Sequence, residues 1–171
     1  DQTTKLMIPN AEIREIFEST VVKWFQDKAK GTDRRTLFHS VWNGDSELLT
    51  REMSTLLRMT ISYHDYKEDF YHAFLLGIFL GFGYDPESNR EHGEGRTDIV
   101  LENPCGDKVA IFELKHSNSR SDLQKDCDKA LKQIKDRKYT INYEDEFDEI
   151  LCYGISFYRK SCMVKVFKLK K

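Results

Sequence analysis

Proline is scarce, with 3 among 171 residues, and glycine is modest, with 9. A Pro/Gly-rich linker or low-complexity chain is therefore excluded. No run approaches the ~20 apolar residues of a membrane-spanning helix. The longest apolar stretch, Ala73 to Phe82, is half that and suits a buried helix. No signal-peptide pattern follows Asp1, and the chain is expected to be part of something longer. The 4 cysteines, Cys105, Cys127, Cys152 and Cys162, lack Cys-x-x-Cys spacing. Neither a zinc site nor a disulfide framework is indicated, and a reducing cytoplasm is the expected setting. There is no Gly-x-x-x-x-Gly-Lys phosphate loop and no internal repeat. Excess charge is also missing: the formal net charge is −2. Nucleic-acid binders are usually basic, so this total weighs against such a partner, although local patches count for more than totals.

What is present is an ordinary globular composition, 39% hydrophobic and 33% charged. One domain with a helical extension is expected. Asn10 is a plausible N-cap before the stripe Ile13, Ile16, Phe17, Val21, Trp24 and Phe25, ended by Gly31. A second helix is predicted over Thr36 to Trp42, closed by Asn43-Gly44. Asp45 or Ser46 would cap a third, burying Leu48, Leu49, Met53, Leu56 and Leu57. These three read as packing helices of an extension or linker over residues 1–60. Tyr66 to Leu80 reads as the main buried helix, because it is apolar nearly all round, and Gly81-Phe82-Gly83 ends it. Tyr84 to His92 is predicted as a first strand.

From Gly95 to Lys115 the pattern changes. Two β-rich runs, Gly95 to Leu101 and Val109 to Lys115, flank a Pro/Gly/Asp/Asn cluster, which signals a hairpin. A loop of Pro104 to Asp107 pairs Asn103 with Lys108 and sets Asp98 opposite Glu113. Side chains alternate along a strand, so Asp98, Glu113 and Lys115 share one face. Carboxylates directly across a ladder lie about 5 Å apart and repel. A divalent cation between them removes the conflict, since hard cations take carboxylate oxygens as ligands. A one-residue slip would send one carboxylate to the other face.

Beyond Lys115, Ser121-Asp122-Leu123-Gln124 has a capping-box pattern. A helix is predicted from there to about Lys138, with Leu123, Cys127, Ala130, Leu131 and Ile134 as its apolar stripe. Its many lysines form either a solvated face or a track for phosphates. Tyr143 to Glu149 reads as a turn or short helix. Ile150 to Tyr158 and Met163 to Leu169 are strand-like, joined by a hairpin over Arg159 to Cys162.

Asp98 followed by Glu113-Leu114-Lys115 resembles the Asp…(Asp/Glu)-x-Lys signature of the PD-(D/E)XK nuclease superfamily. Tyr71-His72-Ala73-Phe74-Leu75-Leu76-Gly77 and Ser88-Asn89-Arg90-Glu91-His92-Gly93-Glu94-Gly95-Arg96-Thr97-Asp98 narrow it. They resemble the nuclease-like domain found C-terminal to a bacterial AAA-ATPase-like domain. Thr97 stands where the signature has proline. The resemblance implies an α/β, restriction-endonuclease-like core over residues 61–171, a mixed sheet flanked by helices. It implies a hydrolase of phosphodiester bonds, with DNA as the expected substrate, Mg²⁺ or Mn²⁺ as cofactor and an upstream ATPase domain as a possible partner.

Carried onto this sequence, the metal ligands would be Asp98, Glu113 and the Leu114 carbonyl. Lys115 would orient the attacking water and stabilise transition-state charge. Gln133 would position the lysine or the water. Glu68 would be an outer-shell or second-metal ligand, or else one half of a solvated Glu68–His72 pair at a helix start. His72 either lines the cleft or is a satisfied core histidine, Tyr139 could face the site, and His92 and Glu94 are turn residues or extra ligands. Two rivals remain: a non-cleaving nucleic-acid-binding module of nuclease ancestry, and an ATPase-docking module. The full Asp98, Glu113, Lys115 and Gln133 set argues against the first.

Overall fold

The computed structural model describes residues 35–60, 68–88, 91–92 and 95–171. The helical pattern expected from Asn10 to Phe25 lies outside them. Helices α1 (Arg35–Asn43), α2 (Ser46–Thr60) and α3 (Glu68–Gly81) come first. Strands β1 (Glu87–Ser88), β2 (Glu91–His92), β3 (Gly95–Arg96), β4 (Ile99–Glu102) and β5 (Lys108–His116) follow. After a 3₁₀ turn (Arg120–Asp122) come α4 (Leu123–Asp136), β6 (Glu149–Tyr158) and β7 (Ser161–Lys170). A mixed five-stranded sheet has the order β1-β4-β5-β6-β7, and β2 pairs with β3 apart from it. The fold is thus α/β and restriction-endonuclease-like.

The sheet is antiparallel except for β5 and β6, which run parallel with α4 as their crossover. Parallel neighbours cannot be joined by a tight turn, so a helix must carry the chain back. Both strands are covered on two faces, and their sequences are correspondingly continuous apolar runs, Val109 to Phe112 and Ile150 to Tyr153. On one face Ile99, Leu101, Ala110, Phe112 and Leu114 meet the buried sides of α1, α2 and α3. On the other, Val100, Val109 and Ile111 pack with Ile134, Tyr139, Tyr143 and Phe147. Aromatic rings bind the first layer together. Phe79 lies 5.2 Å from Phe112, Phe112 stacks on Tyr153 at 5.0 Å, and Tyr71 stacks on Phe157 at 4.4 Å. Such pairs add about 0.5–1.5 kcal/mol each beyond the area they bury.

The 35–60 segment is tied to the far edge of the sheet by backbone donors as well as by apolar contacts. Val164 N–H donates to Thr50 Oγ1 at 3.0 Å, and Cys162 N–H to Ser54 Oγ at 3.3 Å. Asp45 caps α2, its Oδ1 accepting from Leu48 N–H at 3.0 Å. No helix among the described residues is long and apolar enough to cross a membrane.

Three local expectations are corrected. Tyr84 to His92 is not one strand: β1 covers Glu87–Ser88 on β4, and β2 covers Glu91–His92 on β3. Pro86 has no N–H to give a ladder, so pairing begins after it. The Ser121 capping box does not form, because the 3₁₀ turn occupies that segment and Ser119 Oγ is bonded instead to Asp122 at 2.6 Å. The helix after it ends at Asp136, two positions before Lys138.

Packing of α4 on β6 sets a testable constraint at Gly154. A Cβ there would lie 2.6 Å from the Cys127 carbonyl oxygen and 3.0 Å from the Leu131 nitrogen, both backbone atoms of α4. Gly154→Ala is expected to destabilise the fold by about 2 kcal/mol, read from urea unfolding. Gly81→Ala, where a Cβ meets nothing within 4 Å, should be neutral within about 0.5 kcal/mol.

Candidate active site

The β4–β5 hairpin has the loop that the sequence implied. Asn103 N–H donates to Lys108 O at 3.0 Å, and Asn103 Oδ1 accepts from the N–H of Asp107 at 3.1 Å and of Lys108 at 3.0 Å. This Asx turn, with Gly106 at φ +72°, locks the register. Pairs run from Glu102↔Val109 to Ile99↔Phe112. The same register places Asp98, one residue before β4, opposite Glu113.

Asp98 is held at two points. Its Oδ2 accepts from Leu114 N–H at 2.7 Å. Its carbonyl oxygen lies 3.0 Å from His72 Nε2, which also lies 3.1 Å from Ser88 Oγ. A carbonyl can only accept, so His72 donates from Nε2 and that nitrogen carries the proton. Glu113, only 1% exposed, has Oε1 2.7 Å from Lys115 Nζ. Its Oε2 is buried and makes no hydrogen bond among the described residues. In a strand the N–H and C=O of one residue face the same neighbour. The Leu114 carbonyl is therefore turned toward the Asp98 edge.

Burial pushes the Asp98 carboxyl above its ordinary value of 3.8, against the Leu114 N–H and the positive charges of Lys115 and His72, which favour ionisation. From the α4 side, Gln133 Nε2 donates to the Tyr139 hydroxyl at 3.3 Å. Tyr139 is 2% exposed. Its phenol is pushed up chiefly by burial, and further by the charges of Glu113 and Asp98. An open groove of about 360 Å³, lined by Lys129, Lys132, Gln133, Asp136 and Arg137, runs along the outside of α4.

Asp98, Glu113, Leu114 and Lys115 thus meet at one end of the β4–β5 hairpin, and Gln133 and Tyr139 are bonded to each other at the end of α4. Glu68 is the first residue of α3, and its side chain falls outside the described ones. His92 lies in β2, with its side chain likewise outside, and Glu94 is outside the described residues. Ser88 gave no local signal, since it reaches His72 only because β1 pairs with β4.

Among the described residues no three His, Cys, Asp or Glu side chains gather as a metal cluster. The available set is two carboxylates and a carbonyl. That fits a Mg²⁺-like ion, which keeps several waters and takes one or two carboxylates, better than a fully protein-caged metal. A family model for the PD-(D/E)XK nuclease superfamily matches residues 66–167. The chain belongs to the PD-(D/E)XK nuclease superfamily. No curated protein matches it. Membership of the superfamily suggests a nuclease domain, a phosphodiester hydrolase with a nucleic-acid partner, and members typically use divalent cations.

A raised carboxyl pKa has a defined sign in folding. Below the unfolded value Asp98 is protonated in both states and its buried position carries no charge; as pH rises through the folded value, stability is lost. Asp98→Asn keeps an acceptor for Leu114 N–H and removes the charge. In metal-free buffer the variant should gain stability over the parent at neutral pH. The gain should vanish below 3.8, as read from urea midpoints across pH.

Proposed function

We propose that this chain is a Mg²⁺- or Mn²⁺-dependent nuclease domain that hydrolyses phosphodiester bonds in DNA. The observation that supports this most directly is the meeting of Asp98 and Glu113 across the hairpin, with the Lys115 ammonium 2.7 Å from Glu113. Asp98, Glu113 and the Leu114 carbonyl would hold the ion. When bound, it would lower the pKa of a bound water and polarise the phosphate.

The protein's own groups have separate tasks. Leu114 N–H and His72 fix Asp98 in place, so its carboxylate does not have to be ordered when the site loads. Glu113 orients Lys115 from within the same strand. Lys115, 24% exposed at its side chain, reaches solvent from this face. It would orient the attacking water and stabilise the charge that builds on the phosphate oxygens. Gln133 would steady the lysine or the water.

The cellular setting belongs to the same proposal. The domain works in the cytoplasm, joined to an upstream ATPase domain for which residues 1–60 provide the linker or docking surface. Glu68, at the start of α3, is proposed as an outer-shell or second-metal ligand.

Asp98→Ala and Lys115→Ala should each lower Mn²⁺-dependent cleavage of duplex DNA by at least about 100-fold with circular dichroism unchanged. The assay includes RNA and single-stranded DNA. A parent that cuts none of these substrates, or variants that cut as fast as the parent, would sink the proposal.

A further inference from the structure

Helix α4 ends in an unusual way. Tyr139 N–H donates to Ile134 O at 3.2 Å and Lys138 N–H to Lys135 O at 3.2 Å, the paired bonds of a Schellman close. The position between helix and Tyr139 is usually glycine, because it needs a left-handed backbone. Here it is Lys138, at φ +53°. A non-glycine residue there carries about 1 kcal/mol or more of strain, which persists only where the surroundings enforce it. The strained turn folds Tyr139 back beneath the helix, against Ile134 in the core and beside the Gln133 amide.

A second segment leaves room for this hydroxyl. Gly95 lies three residues before Asp98, and its φ is not in the left-handed range. Conformational freedom is therefore not what glycine supplies here. A Cβ at Gly95 would stand 3.0 Å from the Tyr139 hydroxyl and 3.2 Å from its Cε1. The site-bearing segment and the end of α4 thus close on one phenolic oxygen. That oxygen accepts from Gln133 Nε2, which leaves the amide oxygen of Gln133 turned away from the phenol.

We propose that Tyr139 is a positioning residue of the active site: its hydroxyl fixes the Gln133 amide beside the Asp98–Glu113 pair, and Gly95 is glycine to admit it. This rests on the nuclease reading above. Tyr139 touches no reacting atom, and it acts by holding one orientation of Gln133, the group that steadies the lysine or the water.

The test uses the full chain, a duplex oligonucleotide and Mn²⁺. Tyr139→Phe keeps the buried ring and removes only the oxygen. It should lower kcat by about 10- to 100-fold, the usual range for partners that orient a metal site's ligands, with KM and the thermal midpoint unchanged. Gln133→Ala should be similarly slow, and the double variant no slower than Gln133→Ala alone, because the hydroxyl acts only through the amide. Gly95→Ala, which crowds the hydroxyl without deleting it, should reproduce the kcat defect with the thermal midpoint held. Tyr139→Phe cutting at the parent rate overturns the inference and leaves the nuclease proposal standing. Additive losses in the double variant, or a loss explained by a lowered midpoint, also overturn it. A parent that does not cut removes both.

Discussion

Two carboxylates on one covered face of a sheet repel each other, and the site is arranged around that conflict. Asp98 and Glu113 face each other at the open end of the β4–β5 hairpin, with Glu113 almost wholly buried. Burying a charge without compensation is expensive. The structure compensates in part: an ammonium at 2.7 Å from Glu113, a backbone N–H at 2.7 Å from Asp98, and a histidine ring on the Asp98 carbonyl. That Asp98 still has its pKa raised shows that burial outweighs those favourable contacts. A divalent cation bound between the two acids would relieve the residual electrostatic stress, and ion binding and local stability would then act in the same direction.

Rigidity of the hairpin is what keeps the conflict in place. A slip by one residue would let one acid escape to the opposite face. Asn103 blocks that slip with its Asx turn, and β6 blocks it again by pairing in parallel along the whole length of β5, from Lys108↔Glu149 to His116↔Phe157. The Lys108–Glu149 ion pair, at 2.9 Å, pins the closed end. The aromatic layer under α3 fixes the helix that carries His72, so a contact 26 residues away in sequence can hold Asp98.

The central hairpin was legible in the sequence because its signals are local and redundant. Turn residues, β-branched runs and alternation all gave the same register, and that register sufficed to bring Asp98, Glu113 and Lys115 to one face. The α4 stripe was legible for the same reason: Leu123, Cys127, Ala130 and Ile134 are its buried residues. Misreadings fell where long-range pairing decides and where a local arrangement carries no sequence signal. Tyr84 to His92 has strand composition, yet its pieces are claimed by two different partners. Ser121 has the spacing of a cap, yet neighbouring hydroxyls and Asp122 form a tighter local network. The end of α4 was misjudged because a lysine at a left-handed position carries no sequence signal, whereas a glycine would have.

A net charge of −2 weighed against a nucleic-acid partner, and the distribution of ion pairs around α4 shows why that total is a poor guide. Lys129 is paired with Asp126 at 2.7 Å, Lys132 with Asp136, and Lys165 with Asp128, mostly at exposed positions. Exposed pairs of this kind contribute only about 0–1 kcal/mol, since water and salt screen them. A phosphate arriving in the groove beside Gln133 would compete for such lysines at little cost in fold stability. The acids that lower the formal charge keep the helix from repelling itself in the free protein, and they do not commit its lysines. Buried Glu113 is the opposite case: its carboxylate is shielded from solvent, so a group must enter the site itself to compete with Lys115 for it.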